Sequence, residues 1–264
     1  MLTAVKNQLR VCVLSIKYNI MREMVNKVTF LTNVCFMILN NASILVQWFI
    51  LFRLREEVGG YTMREVLLLW GLTAAAFGLS HILSARAFSL SELIIKGKLD
   101  SYLVQPKNVL VSVITSSTSV SAIGDFIYGV ALACICGLGV GEFFLFLLFT
   151  VTGMVIFTSF ALILGSLSFW FVRMDMLENQ LVMGMISFFT YPDGIFEGIS
   201  RFLLYFIIPV GVVVWHPVHL LVRFDAGSFI VVMGYACLLS VAAVAVFYRG
   251  LKRYASGSLM EARM

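Results

Sequence analysis

The sequence predicts an all-α integral membrane protein with an N-terminal interfacial helix, six transmembrane helices and a re-entrant helical pair before the last of them. Of its 264 residues, 61% are hydrophobic and 12% are charged, whereas soluble domains contain roughly 45–50% and roughly 25%. Apolar stretches of about 20 residues alternate with short polar ones. A soluble domain needs more polar residues than this to cover its core. We therefore expect one transmembrane domain, residues 1–264, whose surface mostly faces lipid.

The first 25 residues predict an amphipathic helix that lies in the membrane interface. Apolar residues recur at intervals of three and four, which places them on one face of a helix. These residues are Leu2, Val5, Leu9, Val13, Ile16 and Ile20. Basic residues lie between them and interrupt any signal-peptide core, so the segment is expected to stay on the protein. The alternative is a frayed extension of the first transmembrane helix.

Six stretches are apolar enough to predict transmembrane helices, the fifth of them short and interrupted. They are residues 27–52, 63–88, 109–138, 143–171, 177–191 and 228–248. With both termini in the cytoplasm, 14 of the 19 lysines and arginines lie on the cytoplasmic side. The basic residues left outside are Arg53, Arg55, Arg64, Arg201 and Arg223. Because cytoplasmic loops carry an excess of positive charge, we expect a multi-pass protein of the inner (cytoplasmic) membrane with both termini inside.

Residues 190–221 predict an extracytoplasmic re-entrant region before the last transmembrane helix. Three of the four prolines lie here, Pro192, Pro209 and Pro217. The apolar stretch 201–214 is too short to cross a membrane comfortably, and Pro209 breaks it. The three prolines are therefore candidates for an outer gate. The alternative is a strongly kinked seventh transmembrane helix.

Amide side chains recur every seven residues in the first predicted transmembrane helix, at Asn26, Asn33, Asn40 and Gln47. Seven residues are nearly two helical turns, so the four amides lie along one stripe. Unsatisfied amides are costly in hydrocarbon, so the stripe is expected to face other helices or water. Asn33, Asn40 and Gln47 are therefore candidates for the wall of a translocation path. The alternative is hydrogen bonding between helices.

The third predicted transmembrane helix has one face of small and polar residues, which predicts close packing against another helix. These residues are Thr115, Thr118, Ala122, Asp125 and Gly129. A carboxylate within a transmembrane helix is costly and marks a pathway, a proton site or a pairing partner. Thr115, Thr118 and Asp125 are further candidates for the translocation path. Asp125 also leaves open an ion- or proton-coupled secondary carrier.

Catalytic, metal and nucleic-acid sites are not expected in this chain. His216 and His219 lie in the outer region and His81 lies toward the inner side, so the histidines do not converge. The five cysteines lack paired metal-ligand spacing, and topology explains the basic residues. No Ser/His/Asp grouping or HExxH helix is present. The dipeptide Gly97-Lys98 lacks the other residues of a phosphate-binding loop, so this chain is not expected to hydrolyse ATP.

A polar segment, residues 89–108, separates the second and third predicted transmembrane helices. It carries Lys96, Lys98 and Lys107 where a minimal turn would connect the two helices. Its predicted position is cytoplasmic. The segment is either a solvated loop or the docking surface of a partner, and its length and charge favour a partner.

Four stretches have the order and the topological positions of a known family. They are GYTMREVLLLWGL (60–72), IIKGKLDSYLVQPKN (94–108), TYPDGIF with the later FIIPV (190–210) and YRGLKRYASGS (248–258). Together they extend over nearly the whole chain and resemble the ABC-2 type permeases, in the subgroup of six-span subunits encoded with a separate ATPase. The resemblance implies the interfacial helix, the six spans and the re-entrant helices named above.

The resemblance also implies partners and a site. Residues 91–103, around Gly97, would form a coupling helix that docks in a groove of an ABC ATPase subunit. Its apolar anchors would be Leu93, Ile94, Leu99, Tyr102 and Leu103. Its polar contacts would be Glu92, Lys96, Lys98 and Asp100. A second permease subunit, identical or a sister chain, would complete an exporter, with ATP and magnesium bound by the ATPase. A non-transporting scaffold or sensor is the remaining alternative.

Overall fold

The computed structural model describes residues 2–171 and 174–254, and these residues form twelve α-helices. Their bounds are α1 Leu2–Glu23, α2 Lys27–Phe52, α3 Met63–Ser84, α4 Leu90–Ile95, α5 Asp100–Leu103, α6 Val109–Ile114, α7 Ser121–Ile135, α8 Val140–Ser166, α9 Met174–Phe188, α10 Gly198–Phe206, α11 His216–Val222 and α12 Ala226–Leu251. Short 3-10 turns follow α3, α8 and α9, and a π-helical turn, Gly211–Trp215, precedes α11. Within these ranges the only β-type pairing is an isolated bridge between Val58 and Tyr61.

Four of the described helices are long and apolar enough to cross a membrane. They are Lys27–Phe52, Met63–Ile95, Val140–Phe169 and Ala226–Leu251. They correspond to the first, second, fourth and sixth predicted transmembrane helices, so the prediction of an all-α membrane fold is confirmed. The fifth corresponds to α9, whose 15 residues span only about 22 Å. Arg173 and Arg263, which the topology prediction places in the cytoplasm, lie outside the described residues.

The third predicted transmembrane helix, residues 109–138, is not continuous, contrary to the prediction. It is divided into α6 and α7 at residues 115–120, a run rich in serine and threonine. The hydroxyl of Thr115 donates to the carbonyl of Val111 (2.8 Å), a local bond of the kind that competes with helical backbone bonds. The backbone amide of Ser119 donates instead to the carbonyl of His81 on α3 (3.0 Å). A hydrogen bond to α3 therefore stabilises the break between α6 and α7.

The N-terminal helix α1 is separate from α2 and docks beside the start of α6 and the break that follows it. The hydroxyl of Ser15 donates to the carbonyl of Thr115 (3.0 Å), and the backbone amide of Asn108 donates to Gln8 Oε1 (3.1 Å). The next helix, α2, begins with its own cap, Asn26, whose side chain accepts a hydrogen bond from the first turn. The alternative of a frayed extension of α2 therefore does not hold.

Helices α3 and α8 form the centre of the subunit, whereas α2 and α12 lie on its flanks. In their most apolar stretches, 67% of the residues of α3 and of α8 are buried, against 22% for α2 and 17% for α12. α7 packs mainly against α3. A Cβ on Gly78 of α3 would lie 2.6 Å from the backbone nitrogen of Phe126, and a Cβ on Gly129 of α7 would overlap the carbonyl of Gly71. The close packing predicted for the face with Gly129 is therefore present.

Two short helices lie between α9 and α12. α10 is followed, after Pro209, by the π-helical turn that continues into α11, and Pro217 lies in the first turn of α11, where its missing N–H is tolerated. Residues 211–222 form one apolar stretch of only about 18 Å, too short for the roughly 30 Å of a bilayer core. This geometry favours a re-entrant pair over a kinked seventh transmembrane helix.

Candidate functional site

The polar segment folds into two short helices, α4 and α5, at the carboxyl end of α3. A glycine turn ends α4: Gly97 has a φ of +66°, which is open to glycine without strain. The backbone amide of Lys98 donates to the carbonyl of Leu93 (3.0 Å), and the amide of Gly97 donates to that of Ile94 (3.1 Å). These bonds satisfy carbonyls at the end of α4. The turn therefore sets the direction of α5.

The inner face of this segment is part of the core of the subunit. Leu93, Ile94 and Leu99 are 4%, 0% and 0% exposed, and they pack in one cluster with Leu162 of α8 and Phe247 of α12. These three residues were predicted as anchors for a partner. In this structure their side chains cannot reach a partner, because they hold the segment against α8 and α12.

The outer face of the segment presents charge and a small apolar tip. Lys96 Nζ lies 2.5 Å from Glu92 Oε1, with both side chains about half exposed, and Lys98 is exposed. Gly97, Asp100 and Tyr102 are half-buried. Leu103 is 41% exposed and Val104, which sequence reasoning did not single out, is 84% exposed. The available surface therefore includes the two lysines, Glu92 and the tip formed by Leu103 and Val104, and the segment also exposes Ser101, Gln105, Pro106 and Asn108.

Asp125 is paired inside the subunit. Asn41 Nδ2 donates to Asp125 Oδ1 (2.6 Å), and the hydroxyl of Tyr128 donates to the carbonyl of Asn41 (3.2 Å). Asn41 and Asp125 are 5% and 3% exposed. Sequence reasoning missed Asn41 because it selected the amide one residue earlier, at Asn40. This bond joins α2 to α7 and is the kind of pairing that makes an intramembrane carboxylate tolerable.

The predicted path residues are not brought together. Asn33, Asn40 and Gln47 are exposed on one side of α2. Thr115 lies at the break before α7, where its carbonyl accepts the bond from α1. Thr118 is buried, and its hydroxyl has no hydrogen-bond partner within the described part of the chain. The amide stripe therefore faces away from this subunit, whereas Thr118 and Asp125 face its interior.

A cluster of polar side chains, the Asp193 cluster, lies at the opposite end of α3 from the polar segment. Its members are Tyr61, Asp193, Arg201, Tyr205 and His219. Arg201 Nη2 donates to Asp193 Oδ2 (2.6 Å), and the Tyr205 hydroxyl donates to the same oxygen (3.3 Å). His219 Nε2 lies 3.6 Å from Asp193 Oδ1 and 3.0 Å from the Tyr61 hydroxyl oxygen. One carboxylate thus joins the loop before α3 to α10 and α11.

The three predicted gate prolines frame this cluster. Pro192, Pro209 and Pro217 are all buried, and Pro192 directly precedes Asp193. The Trp215 indole N–H donates to the carbonyl of Tyr191 (3.0 Å), which fixes the chain just before it. The outer gate stays a prediction, and it named prolines of this region but not Asp193, the residue that connects the parts of the region.

The charge of Asp193 is strongly stabilised. Burial raises the pKa of this carboxyl group, but polar contacts with His219 and Tyr61 and the positive charge of Arg201 outweigh burial and lower the pKa to about 2. Burial and the charge of Asp193 together raise the pKa of Tyr61. Tyr61 therefore stays protonated, and its hydroxyl remains available as a hydrogen-bond donor.

Replacing Asp193 with asparagine is expected to destabilise the protein at neutral pH. A pKa of about 2 against the usual 3.8 corresponds to about 2 kcal/mol that the charged form contributes. Because the folded-state pKa is lowered, this contribution is complete above about pH 4 and is lost as the pH falls through 2. Thermal unfolding in detergent should show a lower midpoint for Asp193→Asn at pH 7, and the difference from wild type should disappear as the pH falls through 2. Glu197→Gln, which changes an exposed carboxylate nearby, should unfold like wild type; equal midpoints for both variants at pH 7 would contradict the role of Asp193.

The three histidines do not converge, as the sequence predicts. His81 stacks between Phe77 and Phe88 near the carboxyl end of α3, whereas His216 and His219 lie on α11 at the opposite end. Within residues 2–171 and 174–254, no group of three histidine, cysteine or acidic side chains could hold a metal ion.

A central pair of buried helices, apolar helices exposed on the flanks and polar clusters at the two ends of α3 are the features of a membrane-embedded protein. The family described as ABC-2 family transporter protein matches residues 38–258. The chain therefore belongs to the ABC-2 family of transporters, and the resemblance stated from four stretches is confirmed. The last few residues of the fourth stretch, 255–258, lie outside the described residues. Neither the curated proteins nor the solved structures give a significant match.

Proposed function

We propose that this chain is the permease subunit of an ATP-driven ABC exporter and that the polar segment docks on a separate ATPase subunit. The proposal rests on the difference between the two faces of the segment, one buried and one exposed. Its inner face is fixed in the core by Leu93, Ile94 and Leu99, while its outer face presents Lys96, Lys98 and the apolar tip. A segment that is packed against α8 and α12 on one side and exposed on the other can transmit a displacement caused by a partner to these helices.

The proposed topology has six transmembrane segments, with both termini and the polar segment in the cytoplasm of a cell with an inner membrane. The third and fifth segments would be the broken pair α6–α7 and the short α9. α1 would lie in the inner interface, where its exposed basic side chains could meet lipid headgroups. α10 and α11 would form the extracytoplasmic re-entrant pair. The positive-inside bias supports this orientation.

A second permease subunit would cover the amide stripe of α2. Asn33, Asn40 and Gln47 are exposed on an otherwise apolar helix, and amides facing lipid would lack hydrogen-bond partners. A facing subunit, or a water-filled path between two subunits, supplies those partners. This arrangement would place half of the translocation path on each permease.

ATP would drive transport by favouring one arrangement of the two permeases over another. Such a shift requires that the ATP-bound partners bind the two arrangements with different affinity. On the cytoplasmic side, the ATPase would displace the polar segment. On the outer side, the Asp193 cluster would keep the gate closed until that displacement reaches it. ATP and magnesium would be bound by the ATPase.

The ion- or proton-coupled carrier remains an alternative proposal, but the geometry of Asp125 favours a structural role. Its carboxylate is 3% exposed and receives a short hydrogen bond from Asn41. A coupling site must exchange its ion with water, whereas this pair joins α2 to α7 within the subunit. Transport that persists without ATP and stops when a proton gradient is removed would favour the carrier.

The test is co-purification of this chain with a candidate ABC ATPase subunit in detergent. We expect a stable complex that hydrolyses ATP. Reversing two charges, with Lys96→Glu and Lys98→Glu, should weaken the complex about tenfold, because each exposed charge contact is worth up to about 1 kcal/mol. Lys252→Glu, which reverses an exposed charge outside the segment, is the matched control. Failure to form a complex, together with no effect of the double reversal on transport, would contradict the proposal.

A further inference from the structure

A buried polar connection between the polar segment and the rest of the protein is made by Glu178 of α9. Glu178 Oε2 accepts a hydrogen bond from the backbone amide of Ser91 (3.3 Å) and another from the Ser91 hydroxyl. Both residues are 1% exposed. Ser91 lies in the first turn of α4, and the N-cap residue of that helix, Ser89, makes no side-chain capping bond. The cap of α4 is therefore supplied by another helix.

A buried carboxylate is a costly way to cap a short helix. A serine or asparagine on the segment itself would satisfy the same amide without burying a carboxyl group. The second oxygen, Glu178 Oε1, is buried without a hydrogen-bond partner in the described part of the chain, and such a group costs about 1–3 kcal/mol. Capping alone does not account for this cost.

Three elements meet at this carboxylate. A Cβ on Gly165 of α8 would lie 2.8 Å from Glu178 Oε1 and 2.7 Å from Leu90 Cβ. The absence of a side chain at position 165 therefore lets α4, α8 and α9 touch at one point. A rearrangement of α4 at this junction would therefore change its contacts with the carboxyl group of Glu178.

α9 extends from the contact between Glu178 and Ser91 toward the Asp193 cluster. Glu178 lies one turn from the start of α9, and the helix ends at Phe188, five residues before Asp193. α9 is about 22 Å long, and the carbonyl of Tyr191, just beyond it, is bonded to Trp215. α9 and the four residues that follow it thus connect the polar segment to the Asp193 cluster.

We infer that Glu178 is the positioning residue that couples the polar segment to α9, so that a displacement of α4 is passed along α9 to the Asp193 cluster. The inference rests on the proposed function, because the displacement is the one that the ATPase would impose. Glu178 does not contact cargo or nucleotide in this account. It acts by holding Ser91.

The first part of the test uses the permease alone in lipid nanodiscs, with hydrogen–deuterium exchange of residues 88–96. Glu178→Ala should exchange about tenfold faster in this segment, the factor that corresponds to about 1.4 kcal/mol for one lost hydrogen bond. Glu178→Gln should stay close to wild type, because the amide oxygen still accepts from Ser91. Asp175→Asn, which removes a carboxylate one turn earlier on the same helix, is the control. Unchanged exchange in Glu178→Ala would overturn the inference.

The second part uses the complex with the ATPase and a non-hydrolysable ATP analogue. In wild type and in Glu178→Gln, the analogue should change exchange both at residues 88–96 and at residues 190–205. In Glu178→Ala the change should remain at 88–96 and be lost at 190–205. If Glu178→Ala cannot be purified, Ser91→Ala, which removes the hydroxyl donor, should reduce the response at 190–205 in the same way.

The outcomes separate the two proposals. An equal response at residues 190–205 in wild type and Glu178→Ala overturns the inference and leaves the proposed function standing. A wild-type response at residues 88–96 with none at residues 190–205 also overturns the inference and leaves the proposed function standing. A wild-type complex with no response at either place contradicts the proposed ATP coupling, and the role of Glu178 in holding α4 is then decided by the exchange measured on the permease alone.

Discussion

Replacing Gly129 with leucine is expected to prevent stable assembly of the helices. A Cβ at this position would overlap the carbonyl of Gly71 and lie 2.5 Å from the backbone nitrogen of Ala75. The obstacle is backbone rather than a side chain that could rotate away, so α3 and α7 would have to separate. Overpacking in a core costs about 1–3 kcal/mol when side chains can adjust, and here we expect a loss above that range.

The measurement for Gly129→Leu is the yield of monodisperse protein and its thermal unfolding midpoint in detergent. Gly184→Leu on α9 is the matched control, because a Cβ there meets no atom within 4 Å and leucine is the better helix former. The control should be as stable as wild type or slightly more so. A Gly129→Leu protein that unfolds at the wild-type temperature would show that α3 and α7 do not cross as described.

If the polar segment docks on an ATPase as proposed, replacing Val104 with aspartate is expected to weaken that binding about 10- to 100-fold. Val104 is 84% exposed beside the partly exposed Leu103. Burying a valine side chain in an interface is worth about 1.5 kcal/mol or more, and a carboxylate in its place would also have to lose its hydration. The buried residues Leu93, Ile94 and Leu99 keep the segment in place, so the subunit itself should remain folded.

The affinity of the purified ATPase for nanodisc-embedded permease measures this effect. Leu54→Asp is the control, since Leu54 is 78% exposed just after α2, at the end of the helices opposite the polar segment. We expect wild-type affinity for Leu54→Asp. Equal affinities for the Val104→Asp and wild-type proteins would show that the tip is not part of the docking surface.

The sequence predicts the helical class and the longest helices because lipid imposes an apolar run about 20 residues long. Residues 27–52 and the start of α3 follow from this rule alone. The rule fails at residues 115–119 because the serines and threonines there lie within a stretch that is apolar on average. The hydrogen bond that Ser119 donates to His81 depends on the position of another helix, α3. Apolar length therefore predicts a continuous helix where tertiary contacts divide it.

The candidate site was predictable as a segment but not residue by residue. Charge and position mark residues 89–108, yet whether Leu93 or Val104 faces a partner depends on the turn at Gly97 and on packing against α8 and α12. Asn41 and Asn40 are adjacent amides, and only the packing of α7 shows that Asn41 meets Asp125. Asp193 lies in TYPDGIF, one of the stretches that carry the family resemblance, but nothing in that stretch assigns it a role, and Glu178 lies in a segment with no motif of its own. Ser91, Tyr61 and His219 are distant in the chain from the carboxyl groups that they meet, so no local spacing reveals those contacts.

The most direct measurement of the central claim is photocrosslinking from position 104 in membranes that contain the permease and its candidate ATPase. A photoreactive amino acid in place of Val104 should crosslink to the ATPase, and the yield should change when ATP is added. The same amino acid in place of Ile199, which is 79% exposed on α10, should not reach the ATPase. A crosslink to the ATPase from position 199 with none from position 104 would contradict the account.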